Sequence, residues 1–165
     1  MPRLARLAAL TTALACGAAR AASVDGDLSR ALDAAGGADV VAFELPSKAG
    51  APHVRVATIA NAAPTTVMAA LVDAARYGAL VPAIVRSQEL ARRGDARVIA
   101  WEVEVPLSNL EGTFELRPTR NGAEPSCVEL TFVDGDLSPG RLAFTIAARA
   151  DGRTTLSLDA RLDVR

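Results

Sequence analysis

The sequence predicts an α+β fold, an antiparallel sheet drawn mainly from its second half, with two short helices set after its first strands. Three observations carry this. Between residues 97 and 164, apolar side chains recur at every second position through five successive segments, the period of strands with one buried face. Beyond residue 37, helical spacing is confined to residues 64–80. Glycine or proline separates most of the alternating segments, which implies tight turns and therefore a meander rather than parallel crossovers.

The N-terminus reads as a leader. Arg3 and Arg6 make a basic start, residues 7–15 form a short apolar run, and "AARAAS" supplies Ala19-Arg20-Ala21, a small-x-small cleavage site. Cleavage after Ala21 is expected, which places the mature protein in the periplasm or outside the cell. The apolar run is shorter than the roughly 20 residues that cross a bilayer, so no transmembrane segment is expected in the mature chain. The alternative is a lipidated Cys16 in "TALACG", but Ala13 stands three residues before it, where such sites carry leucine. Removing residues 1–21 leaves Cys127 as the single cysteine, so an intramolecular disulfide is excluded and Cys127 reads as a compact strand hydrophobe.

Residues 22–37 are small and polar, and "DLSRALDAAGG" suits one short helix stopped by Gly36 and Gly37. The hexapeptide "VDGDLS" occurs at residues 24–29 and 133–138. Neither copy extends into a repeat, and neither has the ligand spacing of a calcium loop. The main domain, residues 38–165, opens with two strand-like runs, "DVVAFELPS" and "HVRVATIA", joined by the turn-rich "KAGAP". Pro64 suits a first helical turn. In "TTVMAALVDAARYGAL", Val67, Leu71 and Ala74 or Ala75 share a face, and Asp73 is placed to cap a second short helix. Gly78 and Pro82 end the helical run. The one tyrosine, Tyr77, sits at that break, which reads first as a helix stop and second as the lip of a cavity.

After Leu90 the period changes to strict alternation. Ile99, Trp101, Val103 and Val105 face one way and Glu102 and Glu104 the other; Phe114 and Leu116 alternate with Glu115 and Arg117. Val128, Leu130 and Phe132, then Leu142, Phe144 and Ile146, then Leu156, Leu158, Ala160 and Leu162 continue the pattern. One face is apolar and the other wet. Such a face requires a cover.

The order of strands, two short helices and a long meander resembles the START-like superfamily, also called SRPBCC or helix-grip, and most nearly its polyketide-cyclase and coenzyme-Q-binding branch. The resemblance rests on "AAPTTVMAALVDAARYGALVPAIVRSQEL", on the Trp101 strand and on "VELTFVDGDLSPGRLAFTI". It implies a curved sheet folded around a ligand cavity for lipids, sterols, polyketides or isoprenoid quinones, closed by a long C-terminal helix. This sequence departs from that pattern in its additional strand pair at the front. The grip helix has no counterpart before Arg165, so this chain is expected to be shorter than the working protein and to show a groove open on one side, lined by Trp101 and Phe144. The alternatives are that the N-terminal segment folds over the face or that a partner chain covers it.

Chemistry narrows the function further. The single histidine, His53, reads as a solvated residue at a strand start, too little for a zinc site or a histidine-based triad. Glu102 and Glu104 fall on the wet face, and there is no glycine-rich phosphate loop. A formal net charge of −1 offers no basic surface to nucleic acid. No cofactor is expected. What remains is an apolar concave face, whose lining is expected to be Tyr77, Trp101, Val103, Phe114, Leu130, Phe132, Phe144 and Leu158. That composition points to a carrier of a hydrophobic small molecule. A cyclase or aromatase, or a module docking a partner chain through the same face, are the alternatives. The first of these needs ionisable groups inside the cavity, and the inward positions named hold none.

Overall fold

The computed structural model describes residues 28–35, 40–45, 53–119 and 126–162. The leader, Cys16 and the proposed cleavage site lie outside these residues. Eight strands, β1 (Val41–Glu44), β2 (His53–Ala60), β3 (Ile84–Arg93), β4 (Ala96–Val105), β5 (Ser108–Thr119), β6 (Ser126–Gly135), β7 (Gly140–Ala148) and β8 (Thr154–Arg161), form one sheet. Its order is β1-β2-β8-β7-β6-β5-β4-β3, and every pairing is antiparallel. The meander read from the sequence is present. Its one long-range junction is β2 against β8.

That junction explains the helices. The chain leaves β2 near one edge and re-enters the sheet at β3, the opposite edge. Six strand spacings of ~4.8 Å separate the two, about 29 Å if the sheet were flat. Residues 28–34 form α1; the connection from β2 to β3 is α2 (Pro64–Val72), a 3-10 turn (Ala74–Arg76) and α3 (Tyr77–Leu80). A helix as short as α2 rises only ~13 Å, so the sheet curves and the helices cross its concave side. Pro64 occupies the first turn of α2, as expected. Asp73 marks the corner but makes no side-chain cap bond.

Strand β3 was not legible as a strand over its whole length; alternation was expected only after Leu90. Two register shifts against β4 account for this, one between Ile84 and Arg86 and one between Glu89 and Ala91. Each bulge inserts a residue and reverses which side chains face inward.

Directly paired residues project from the same side of a sheet. The register therefore puts Ile99, Trp101, Val103, Phe114, Leu130, Phe132, Phe144 and Leu158 on one face. Glu102 and Glu104 lie on the other, where Glu102 accepts from Asn109 Nδ2 at 2.7 Å and stands 3.7 Å from Arg86 Nε. The core under α2 holds Val67, Met68, Ile99, Trp101, Phe114 and Phe132, with Leu116, Val128, Leu130 and Ile146 around them.

The outer face corrects the expectation of a wet surface in two places. Leu28 and Leu32 of α1 pack on Ala57 and Ile59, flanked by Val41 and Phe43, to make a second apolar cluster. Here α1 shields the β1–β2 edge from the side opposite α2. His53 is the other correction. Its side chain is only 13% exposed, lies 3.6 Å from Asp159 Oδ1 and accepts from Arg161 Nε at 3.4 Å. Beside it Arg55 donates twice to Asp159, at 2.9 and 2.8 Å. A cross-strand polar ladder between β2 and β8 thus replaces the solvated loop expected of His53.

Candidate functional site

The concave face divides into two halves. In one, Ile99, Trp101, Phe114, Leu116, Val128, Leu130 and Phe132 are 0–6% exposed. Their rings interlock: Trp101 and Phe114 each meet Phe132 edge to face, with centroids 5.5 and 5.9 Å apart. In the other, Val54 and Val56 of β2, Leu142 and Phe144 of β7, and Leu158 and Ala160 of β8 are only half-buried. The sequence-predicted lining is therefore split. Trp101, Phe114, Leu130 and Phe132 are sealed core, Val103 and Phe144 pack against that core, and Leu158 stands further out on the open half.

The cover over the sealed half comes from the helix corner. Helix α2 packs against β6 and β7, while the 3-10 turn and α3 pack against β3. Tyr77 is the pin of this corner. Its ring packs against the core and its hydroxyl donates to the carbonyl of Leu71. Arg97 Nη1 donates to the next carbonyl, Val72, at 2.7 Å. Both acceptors belong to the last turn of α2, whose carbonyls have no helical partner. Burial, only partly opposed by Arg97, pushes the Tyr77 pKa up to about 12. The phenol is thus a capping donor, with its polar tip turned into the fold and its proton too firmly held for a catalytic base. Gly78 has a packing reason as well: a Cβ there would stand 2.9 Å from the Ile84 carbonyl. Pro82 follows in a turn closed by Ile84 N–H donating to Val81 O at 2.9 Å.

Ionisable groups missed by the sequence reading lie at the margin of this face. The second bulge in β3 leaves Glu89 opposite Ile99 and Arg92 opposite Arg97. Glu89 pairs with Arg92 at 3.1 Å and Arg97 at 3.7 Å, and the hydrogen bond from Arg92 holds its carboxyl below the usual range. Glu89 thus engages both cations, and Arg97 also donates to the end of α2. Among the described residues no group of His, Cys, Asp and Glu is arranged to hold a metal ion.

The far end of the face is closed by the β6–β7 turn. Gly135, at φ +92°, meets Gly112 so closely that a Cβ on either would run into backbone. Asp136 locks this approach by accepting from Glu111 N–H at 2.9 Å, which brings Leu137 against the core.

A groove of about 480 Å³ opens on the opposite face, between α1 and strands β7 and β8. It is lined by Leu28, Asp33, Thr145, Arg149, Thr155 and Ser157, among others. Arg149 crosses it, bound to Asp33 Oδ1 at 2.7 Å and 3.8 Å from Asp151 Oδ2. Arg149 is engaged by Asp33, while Asp151 is held mainly by Arg153 at 2.7 Å, so the groove is crossed by ion pairs rather than open along an apolar floor. The open half of the concave face, continuous with the aromatic core, is the better candidate site.

No protein-family model matches this chain, and no curated protein matches its sequence. Solved structures do. A STAR-related lipid transfer protein from Xanthomonas axonopodis superposes with a TM-score of 0.65 at 15% identity, covering 75% of this chain and 76% of that one. A START superfamily protein from Mycobacterium smegmatis gives 0.57 at 21% identity, over 68% and 77% of the two chains. The Zhui aromatase/cyclase from Streptomyces sp. R1128 gives 0.58 at 17% identity, over 68% of each. The fold is the START-like, helix-grip fold expected from the sequence, an unclosed antiparallel sheet with few short helices.

Proposed function

We propose that this chain is an exported carrier of a hydrophobic small molecule, a lipid, isoprenoid quinone or polyketide-like compound, held against the open half of the concave face. One observation carries the reading. Val56, Leu142, Phe144 and Leu158 form a half-buried apolar strip that continues the sealed core without a polar break. An apolar surface of this kind gains most of its binding free energy from desolvation. The likeness of fold to a lipid transfer protein supports it. Tyr77, Trp101, Val103, Phe114, Leu130, Phe132, Phe144 and Leu158 are the residues assigned to the site, with Phe144 and Leu158 in direct contact with ligand and the buried aromatics as its floor.

Native mass spectrometry of the purified protein, with extraction of what co-purifies, tests this. A bound apolar molecule is expected, and adding quinones or long-chain lipids should shift both Trp101 fluorescence and the melting temperature. A broad apolar panel that moves neither would overturn the proposal. Export has its own test: protein from the native host should begin at Ala22, and a diacylated Cys16 at the N-terminus would overturn that part.

A further inference from the structure

Among the described residues, two buried polar atoms on the concave side have no hydrogen-bond partner, Trp101 Nε1 and Ser87 Oγ. They belong to directly opposed residues of β3 and β4, so both side chains rise from the sheet on the same side, with Cβ atoms about 5 Å apart. Trp101 is 4% exposed. An indole N–H is a donor only, and burying one without an acceptor is unfavourable. Native proteins rarely leave such a group unmatched without a bound partner or a function.

The first bulge in β3 is what creates this pair. Ile84 opposes Val103, and without a register shift Val85 would oppose Glu102 and Arg86 would oppose Trp101. The extra residue instead sends Arg86 to the outer face, 3.7 Å from Glu102 and 3.6 Å from Glu111, and sets a serine beside the indole. Bulges commonly re-aim a side chain in this way at functional sites. A cation has been exchanged for a small hydroxyl.

We infer that Trp101 Nε1 and Ser87 Oγ are the polar anchor of the ligand site, two converging donors that receive a carbonyl oxygen of an otherwise hydrocarbon ligand. The chemistry selects the class. A carbonyl oxygen has two lone pairs for two donors and no hydrogen of its own to oppose the indole N–H. A carboxylate would bring a charge into an apolar site, and the cations on this side, Arg92 and Arg97, are already engaged by Glu89 and the Val72 carbonyl. The ligand is therefore a quinone, ketone or ester rather than a free acid or a plain hydrocarbon. Access lies through the thinnest part of the cover. Helix α3 is four residues long and contains no fully buried residue, but its first residue, Tyr77, pins it to the core, so entry requires the hydrogen bond from Tyr77 to Leu71 to open. The assignment rests on the carrier reading and extends its site from the open strip on β7 and β8, across the aromatic floor, to the β3–β4 edge.

The chain has one tryptophan, so its indole N–H gives a single resonance in a nitrogen–proton correlation spectrum. The mature full chain is titrated with decylbenzoquinone and, separately, with decylbenzene, which has the same tail and no carbonyl. The quinone should bind more tightly and move the indole resonance, while decylbenzene leaves it near its free position. Ser87→Ala should weaken quinone binding roughly three- to tenfold, the size of one hydrogen bond, leave decylbenzene unchanged and not lower the melting temperature. Ser87→Thr, which keeps the hydroxyl, should retain the preference. If both compounds bind and shift the indole equally, or if Ser87→Ala weakens both alike, the anchor is overturned and the carrier reading stands. If neither binds, both fall.

Discussion

The two halves of the concave face share a sheet, a register and an apolar composition, yet one is core and the other is surface. Ile99, Phe114, Leu116 and Phe132 lie under the helix corner, whereas Leu142, Phe144 and Leu158 lie on strands that the corner crosses only in part. The difference is one of cover. Alternation fixes which side chains point inward, but whether an inward residue is packed or available depends on what the rest of the chain lays over it.

The sharpest way to break this comparison is by truncation in each half. Phe132→Ala should cost about 3–5 kcal/mol of stability, because a rigid surround leaves a cavity. Leu158→Ala should cost roughly 1–2 kcal/mol, well below the usual range for a buried leucine, and act chiefly on ligand affinity. Urea unfolding measures both; equal losses would make the open half an ordinary core.

Next in size is a pH effect at the corner that seals the inner half. The fold favours the neutral Tyr77 phenol, with a pKa of about 12 against an ordinary value of 10.0. That stabilisation is complete below pH 10 and is lost as pH rises from 10 to 12, roughly 2–3 kcal/mol in all. Since Tyr77 is the only tyrosine, its tyrosinate absorbance reads the titration directly. A transition near 10 in the folded protein would show that the corner is open. Tyr77→Phe should remove the pH step and cost about 1 kcal/mol for the hydrogen bond to Leu71.

On the outer face, Leu32→Ala should cost about 2 kcal/mol, at the low end for a buried leucine because α1 relaxes toward the sheet. Hydrogen exchange should show the loss confined to α1 and β1. The smallest effect is expected from Gly78→Ala. The contact with Ile84 O outweighs the ~1 kcal/mol that alanine gains over glycine in a helix. The corner should lift slightly, so that acrylamide quenches Trp101 more readily while overall stability changes little.

Much of this was legible in the sequence. Alternation from Ile99 to Leu162 gave the strands and their inward faces, and Pro64 and Pro82 bounded the helices, whereas Gly78, expected to end the run, lies inside α3. Strand β3 resisted because its bulges break the period that a reader depends on. The role of Tyr77 resisted because a carbonyl two turns back leaves no mark in sequence, and Arg97, four residues before Trp101, reads as an ordinary surface charge until α2 ends beside it. The α1 cluster was obscured for another reason: Leu28 and Leu32 are its only large apolar residues, and their partners Ala57 and Ile59 sit on the strand face expected to be wet.

The margins of the sheet carry a consequence for how this protein meets other chains. An open strand edge is a template for aggregation, because its unpaired amides and carbonyls can accept a foreign strand. At one margin β1 is only four residues long, too short to recruit much. At the other, β3 is long, but two bulges interrupt it and Arg86, Glu89, Arg92 and Arg93 punctuate it with charge. Neither margin suits sheet extension. Contact with a second copy or a partner would therefore have to run through a face of the sheet instead of an added strand.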